Sequence, residues 1–524
     1  MKRIIAFALV LIMTAGIFLG CDQEKDPYVP TGDALDSDEI QKPTQPVTEI
    51  PLALAYYPER SLNPFVCMDV TNRMILSLVY QGLFTVTENY EAKPVLCGAY
   101  RVSRDMRTHI FYVSSEATFA DGTSVTPEDV FASLEKARKS AVYHARLSHV
   151  SSLKLNDDGG IEMQVNTPYE DLPILLDIPI IKAEEIDSES PMGTGPYMLE
   201  DTISGLRLRR RINWWCSSDN LLATQSYITL TAVETQVDVR DSFEAGKTSM
   251  VCLDPGNPTY ADFRCDYELW DCDSSYMLYL CAGMKSPVFS NDRVRNALTF
   301  AIDRDYMVDA IYNGFAQATP LPAAPDSPFY NKKLADRYSF NPEVLKHVIW
   351  EEGFGGTEIT FLVNSDNVVR LRVAQEIARV LEECGLVVNL RELPQKEFLI
   401  FIEWTDFDLY LGQTRLSANM DLTHFFVDGG LMSHGDLMDP ALYALTLEAL
   451  ANSGNYYDLH RKVAEDGRIC PVLFRRFAVY TQRGMLSQLV SARDNLFPYS
   501  IGMEMKDVRL PDMEPTPVET EPES

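Results

Sequence analysis

The chain has 524 residues, 46% of them hydrophobic and 23% charged, and a formal net charge of −30. One hydrophobic core stops growing near about 250–300 residues, so two or more domains are expected. The composition is that of a soluble globular protein, and the acidic balance argues against nucleic-acid backbones and anionic membrane surfaces as partners.

Lys2 and Arg3 precede an uncharged apolar run from Ile4 to Gly20, which ends at Cys21. A charged start, an apolar run and a small residue before the cut predict a signal peptide over residues 1–20. A cysteine directly after the cut resembles a bacterial lipobox, in which that cysteine is lipidated. The box reads Phe18-Leu19-Gly20-Cys21, and Phe18 and Leu19 depart from the usual Leu-Ala or Leu-Ser. The expectation is export, with a lipid anchor at Cys21 on the cell membrane, facing the periplasm or cell exterior. An uncleaved anchor and free secretion are the alternatives. No later segment holds the ~20 uninterrupted apolar residues of a membrane span. Residues 21–48 read as a disordered tether and residues 506–524 as a disordered acidic tail. Nine of the ten cysteines follow Cys21, an odd number that leaves at least one unpaired. Their scattered spacing and the lack of a CxxC predict buried small hydrophobes rather than a disulfide framework or a structural zinc site.

Taken in chain order, Pro51–Ala55 is a short apolar run, and Thr71–Leu83 carries Ile75, Leu78 and Val79 at helical spacing with Gly82 near its end. Asp121-Gly122-Thr123 is turn chemistry. Thr126 is an N-cap, Pro127 suits the first helical position, and Asp129 makes a short-armed capping box. Val130, Phe131 and Leu134 supply the apolar face of the helix. Ile161–Val165 and Gly205–Arg211 alternate as half-buried strands do, with Arg207, Arg209 and Arg210 on a solvated face. Asp292–Asn313 reads as one helix. Asn341-Pro342 starts another that ends near Gly353. Ile359–Val363 is a strand, Val368–Cys384 an amphipathic helix stopped by Gly385, and Leu386–Leu390 a strand. That β–α–β order predicts a right-handed parallel crossover within an α/β domain.

The stretch Phe119–Leu134, FADGTSVTPEDVFASL, resembles the F-x-D-G-x-x-L/V-T-A-x-D-V signature of the family 5 extracellular solute-binding proteins, the peptide and nickel receptors of ABC importers. Four more segments resemble that family in its order: Leu62-Asn63-Pro64, Val79-Tyr-Gln-Gly-Leu-Phe84, Gly193-Thr-Gly-Pro-Tyr197, and Asp292–Leu298 continued by Ala301–Asp305 and Asn313-Gly314. These motifs read as fold-determining, with left-handed φ expected at Gly193 and Gly195, and Arg295 and Asp303 fixing helix ends. The resemblance implies an α/β, two-lobed periplasmic-binding-protein-like fold of the large peptide-binding class, with a hinge between mixed-sheet lobes. Lobe I is then residues 49–70, 186–270 and 478–505, with an extra subdomain at 71–185, and lobe II is 271–477. It implies a monomer that captures a peptide or small solute and delivers it to an ABC permease and ATPase, with no cofactor.

In peptide-binding members the segment after L-D/N-P pairs with the ligand backbone. The resemblance places Met68, Asp69 and Val70 there. A second element is a loop reading G-W-x-A-D, whose Asp takes the ligand's free α-amino group. Its counterpart is Gly412-Gln413-Thr414-Arg415-Leu416, with Gln413 for the Trp and Leu416 for the Asp. A buried ammonium without a carboxylate is heavily penalised, so a peptide with a free N-terminus is put in doubt. Arg415 offers the opposite chemistry, a bidentate anchor for a carboxylate or phosphate; an exposed loop arginine is the rival reading. The chain lacks HExxH, GxSxG and P-loop motifs, so no enzyme is expected. Capture of a nickel chelate, with His424 and His434 near the loop, or of another small acidic metabolite is an alternative. A sensing receptor without import is another.

Overall fold

The computed structural model describes residues 50–216, 225–255, 263–486, 489 and 491–497. The expected leader, Cys21, the tether and the acidic tail lie outside them.

Phe119–Leu134 folds as its residues dictate. Gly122 turns the chain at φ +86°, and Thr118 and Ser124 bridge across the turn. The Thr126 hydroxyl accepts the Asp129 N–H at 3.3 Å, and the Asp129 carboxylate accepts the Thr126 N–H at 2.9 Å. Helix Pro127–Ala137 follows with Val130, Leu134 and Ala137 buried. It packs on a four-stranded antiparallel sheet whose spatial order is Cys97–Val102, Thr108–Val113, Ile161–Val165, Val150–Leu155. A second four-stranded sheet joins Ala53–Tyr56 to Tyr227–Ala232, Gly205–Arg210 and Tyr197–Thr202. Across it Arg207 and Arg209 pair with Glu200 at 2.6 and 2.8 Å.

The largest sheet has seven strands. At its centre Tyr267–Ala282 and Ile469–Gln482 run antiparallel, 16 and 14 residues long. One end of this pair holds Met250–Leu253, opposite Ala478–Thr481. The other end holds Leu409–Arg415, followed outward by Glu358–Asn364 and Val387–Leu393. Those last three run parallel to one another, and helix Val368–Glu383 makes the crossover. Between the two ends the long strands slip register from Asp273 to Met277, opposite Phe474–Arg476. A bulge of this kind bends a strand and raises its twist. The expected lobe boundaries at 270/271 and 477/478 fall on these same strands, where Asp271 faces Ala478.

Three local expectations are corrected. The helix predicted from Asp292 to Asn313 is broken: Asp292–Leu298 runs into a 3-10 turn, Ile302 is extended, and Asp303 starts a new turn by accepting the Tyr306 N–H at 3.1 Å. Aspartate competes for backbone N–H groups in this way, and the break lets buried Arg304 donate to Thr319 and Pro471 carbonyls at 3.1 and 2.9 Å. The helix predicted to reach Leu83 ends at Val79. Gly193 and Gly195 do not take positive φ. They are glycines because the chain passes close to the end of that helix: a Cβ on Gly193 would collide with the Val79 carbonyl oxygen, and one on Gly195 would stand 2.6 Å from that of Leu78. Arg211 then ties this turn to the first motif. Its guanidinium donates to the carbonyls of Thr194 (2.8 Å), Gly195 (3.1 Å) and Phe119 (2.7 Å).

The nine described cysteines are free thiols, eight of them buried. Among the described residues no helix is long and apolar enough to cross a membrane.

Candidate functional site

Three segments meet the strand bulge around a cavity of about 320 Å³. The first is the start of helix Val70–Val79. Asp69 caps it, accepting the Asn72 N–H at 3.1 Å and pairing with Arg60. Met68, just before the cap, is 71% exposed and lies on the cavity wall, and Arg73 lies there one turn further on. The second is the end of strand Leu409–Arg415, which brings Thr414, Arg415 and buried Leu416 to the opposite wall. The third is segment 141–146, with Val142, His144 and Arg146. Tyr276 enters from the bulge itself, and Phe425 and Met432 extend the apolar wall. A few polar groups set in a largely apolar concavity are the usual make-up of a small-ligand site.

Charges are paired with care around it. Arg415 donates through Nη2 to Asp494 at 2.9 Å and through Nε to the Ser275 hydroxyl at 2.9 Å. Asp494 also accepts the Ser275 N–H at 3.1 Å, and its own N–H donates to the Asp273 carbonyl at 2.9 Å, so it clips the bulge. Burial alone would raise the Asp494 pKa, but Arg415, Arg493 and Arg73 hold it well below the usual carboxylate range. Arg146 pairs with Asp177 and lies over the Tyr143 ring, 5.3 Å from its centroid. Asp421 on the cavity wall meets buried His149 at 2.9 Å. Burial lowers the His149 pKa, but the Asp421 hydrogen bond and charge outweigh it, and the net shift is upward. Burial likewise raises Asp421, and its His149 and Thr423 partners bring it below its ordinary value.

The candidate residues read from the sequence therefore divide. Met68, Thr414, Arg415 and Leu416 line one cavity. Val70 lies on a smaller adjoining one with Arg73 and Tyr276. Asp69 spends its carboxylate on the helix cap, and Gln413 is partly buried within a strand rather than in the expected loop. His424 lines the cavity, with its Nε2 at 3.3 Å from the Ala145 carbonyl oxygen, while the His434 ring packs edge-on to Tyr410. Sequence reasoning missed Arg73, Arg146 and Asp494. Arg73 had a faint signal, the lone charge on helix Val70–Val79. Asp494 had none, because its partner Arg415 is 79 residues away.

The family model for bacterial extracellular solute-binding proteins, family 5, matches residues 91–429. The chain belongs to this family. A family 5 protein is the solute-binding component of an ABC importer, so this protein is exported, binds a solute outside the cytoplasm and works with ABC permease components. Among curated relatives, the glutathione-binding protein GsiB of Salmonella typhi is 21% identical over 345 residues, 63% of this chain and 67% of that protein. GsiB of Escherichia coli is 22% identical over 342 residues, 62% of this chain and 66% of that protein. Two solved structures share the fold. The ABC transporter substrate-binding protein CtaP of Listeria monocytogenes has a TM-score of 0.71 at 15% identity, covering 85% of this chain and 97% of that one. NikZ of Campylobacter jejuni, in complex with Ni(L-His), has a TM-score of 0.64 at 16% identity, with the same coverage. The fold of this family 5 member is thus that of the periplasmic solute-binding proteins.

Proposed function

We propose that this family 5 protein captures a peptide-like solute in the 320 Å³ cavity and delivers it to the permease and ATPase of an ABC importer. The observation that carries this reading is the place of the cavity. It lies where the long strands bulge, between the start of helix Val70–Val79 and the end of strand Leu409–Arg415. Elements from both ends of the long strand pair therefore contribute to one wall each, the arrangement a hinge closes. In this reading residues 49–70, 186–270 and 478–505 form lobe I with the subdomain 71–185 upon it, and 271–477 form lobe II. Met68, Thr414, Arg415 and Leu416 face the solute, and Leu416 provides no charge for a free α-amino group. The glutathione specificity named for the curated relatives supports a short or modified peptide. The protein acts as a monomer held to the membrane by lipid at Cys21, and it binds its solute without chemical change.

Mass spectrometry of what co-purifies with protein expressed from residue 22 onward tests the reading. A peptide or peptide derivative is the expected finding; a bare metal chelate or a sugar as the bound species overturns it. Intact-mass measurement of membrane-extracted protein, with Cys21→Ala as the control, tests the anchor separately.

A further inference from the structure

A second cavity of about 140 Å³ adjoins the first, and the two share Arg73, Arg146 and Arg415. Its walls add Arg493, Asp177 and Asp494, so four arginines face two aspartates. Both aspartates are already engaged, Asp177 by Arg146 and Asp494 by Arg415. Arg493 and Arg73 are left over. Arg493 donates from Nη2 to the Leu416 carbonyl, but its Nε is buried and has no partner among the described residues. The Arg73 guanidinium makes no hydrogen bond or ion pair of its own among the described residues. A buried charged donor without an acceptor is costly, and arginine does not escape the cost by losing its proton. In a chain of net charge −30, an excess of positive charge gathered in one cavity is not a by-product of composition.

We infer that this second cavity is an anion subsite: Arg73 and Arg493 take a side-chain carboxylate of the captured solute, which is therefore an acidic peptide-like molecule. The inference rests on the peptide-like reading of the larger cavity. A carboxylate fits the planar fork of a guanidinium bidentately and gives the Arg493 Nε its missing acceptor. The space, about 140 Å³, holds a carboxylate and a few waters at ~30 Å³ each. The body of the solute therefore stays in the larger cavity. Leu416, which stands where the resemblance implies an ammonium-binding aspartate, completes the reversal of polarity. Uncharged at that wall and doubly positive beside it, the site selects for negative charge.

The test offers the protein three pools in separate equilibrium-dialysis experiments read by mass spectrometry: tripeptides carrying a Glu or Asp side chain, neutral tripeptides of the same length, and citrate with inorganic phosphate. The acidic pool is expected to be retained at least tenfold over the neutral one. Arg73→Gln removes that preference with the melting temperature in place, and Arg73→Lys restores part of it. Arg73 carries the test because Arg493 also donates to the Leu416 carbonyl, so its replacement disturbs the chain as well as the subsite. Equal retention of acidic and neutral tripeptides overturns the subsite and leaves the peptide reading standing. Retention of citrate or phosphate alone does the reverse. Retention of no pool counts against both, and an acidic preference that survives Arg73→Gln removes Arg73 from the subsite.

Discussion

Around Arg211 one guanidinium meets the backbone carbonyls of Thr194, Gly195 and Phe119 and the Thr118 hydroxyl. Around Asp494 one carboxylate sits among Arg415, Arg493 and Arg73. The first arrangement is closed. Its acceptors are main-chain carbonyls and one hydroxyl, and both terminal nitrogens are engaged by them. The second is open, because arginines outnumber carboxylates and one guanidinium nitrogen is buried without a partner among the described residues. The difference separates two settings for an arginine. One holds loops in place beside the family's signature motifs; the other leaves charge to spare at the proposed binding site. The signature residues therefore report family and fold, and the cleft reports cargo.

The comparison can be broken from either side. Arg211→Ala leaves several buried carbonyls without donors. At about 1.5–3 kcal/mol for each charge-assisted hydrogen bond, partly offset by relaxation, the expected loss is about 4 kcal/mol in urea unfolding. A loss below about 1 kcal/mol would mean that the closed arrangement is not structural. Gly193→Ala pushes a methyl group into the Val79 carbonyl and is expected to cost about 3 kcal/mol by the same measurement, the upper part of the overpacking range. Arg415→Ala strands Asp494 beside Ser275. The Arg415 side chain is 21% exposed, so the expected cost is about 2 kcal/mol, less than for a fully buried pair. Because the arginines depress the Asp494 pKa, the stability this group supplies is present above about pH 4 and lost as pH falls through its folded value. Without Arg415 that acid limb moves to higher pH, which a denaturation series against pH detects.

The smallest effect is at His149 and Asp421. His149 is raised in the fold, so its contribution is complete below about pH 6.5 and fades as pH climbs through the raised value. Asp421 is lowered, so its contribution is complete above about pH 4 and fades on acidification. The pair therefore stabilises most between about pH 4 and 6.5. The stability difference between wild type and Asp421→Asn, read by thermal unfolding, should peak there at roughly 1 kcal/mol. A difference flat from pH 4 to pH 9 would show that the pair is a neutral hydrogen bond.

Local chemistry was legible wherever a few neighbouring residues decide the outcome. Thr126 and Asp129 make the capping box the spacing predicts. Helix Val368–Glu383 buries Val369, Val373, Ile377 and Leu381, and Gly385 leaves it at φ +103°. The solvated face of Gly205–Arg210 was legible from alternation. The same local reading failed at Asp292–Asn313, since apolar spacing continues across Asp303 while the Asp303 side chain and buried Arg304 gain more by a break. At Gly193 the residue was informative but the reason was not: the constraint is the passage of Val79, more than a hundred positions earlier, and not the glycine's own φ.

By itself the sequence determined the helix and strand signals, the family and the absence of an aspartate at Leu416, because each depends on residue identity along the chain. Only the tertiary structure decided what Arg415 does. In the sequence it is a free cation in a loop; in the fold it lies at a strand end and is paired with Asp494. Charge interaction depends on distance through space and on exclusion of water, and neither can be read from separation along the chain. The same holds for Arg73 and Arg493, whose spare charge exists only because the fold brings four arginines and two aspartates to one cavity.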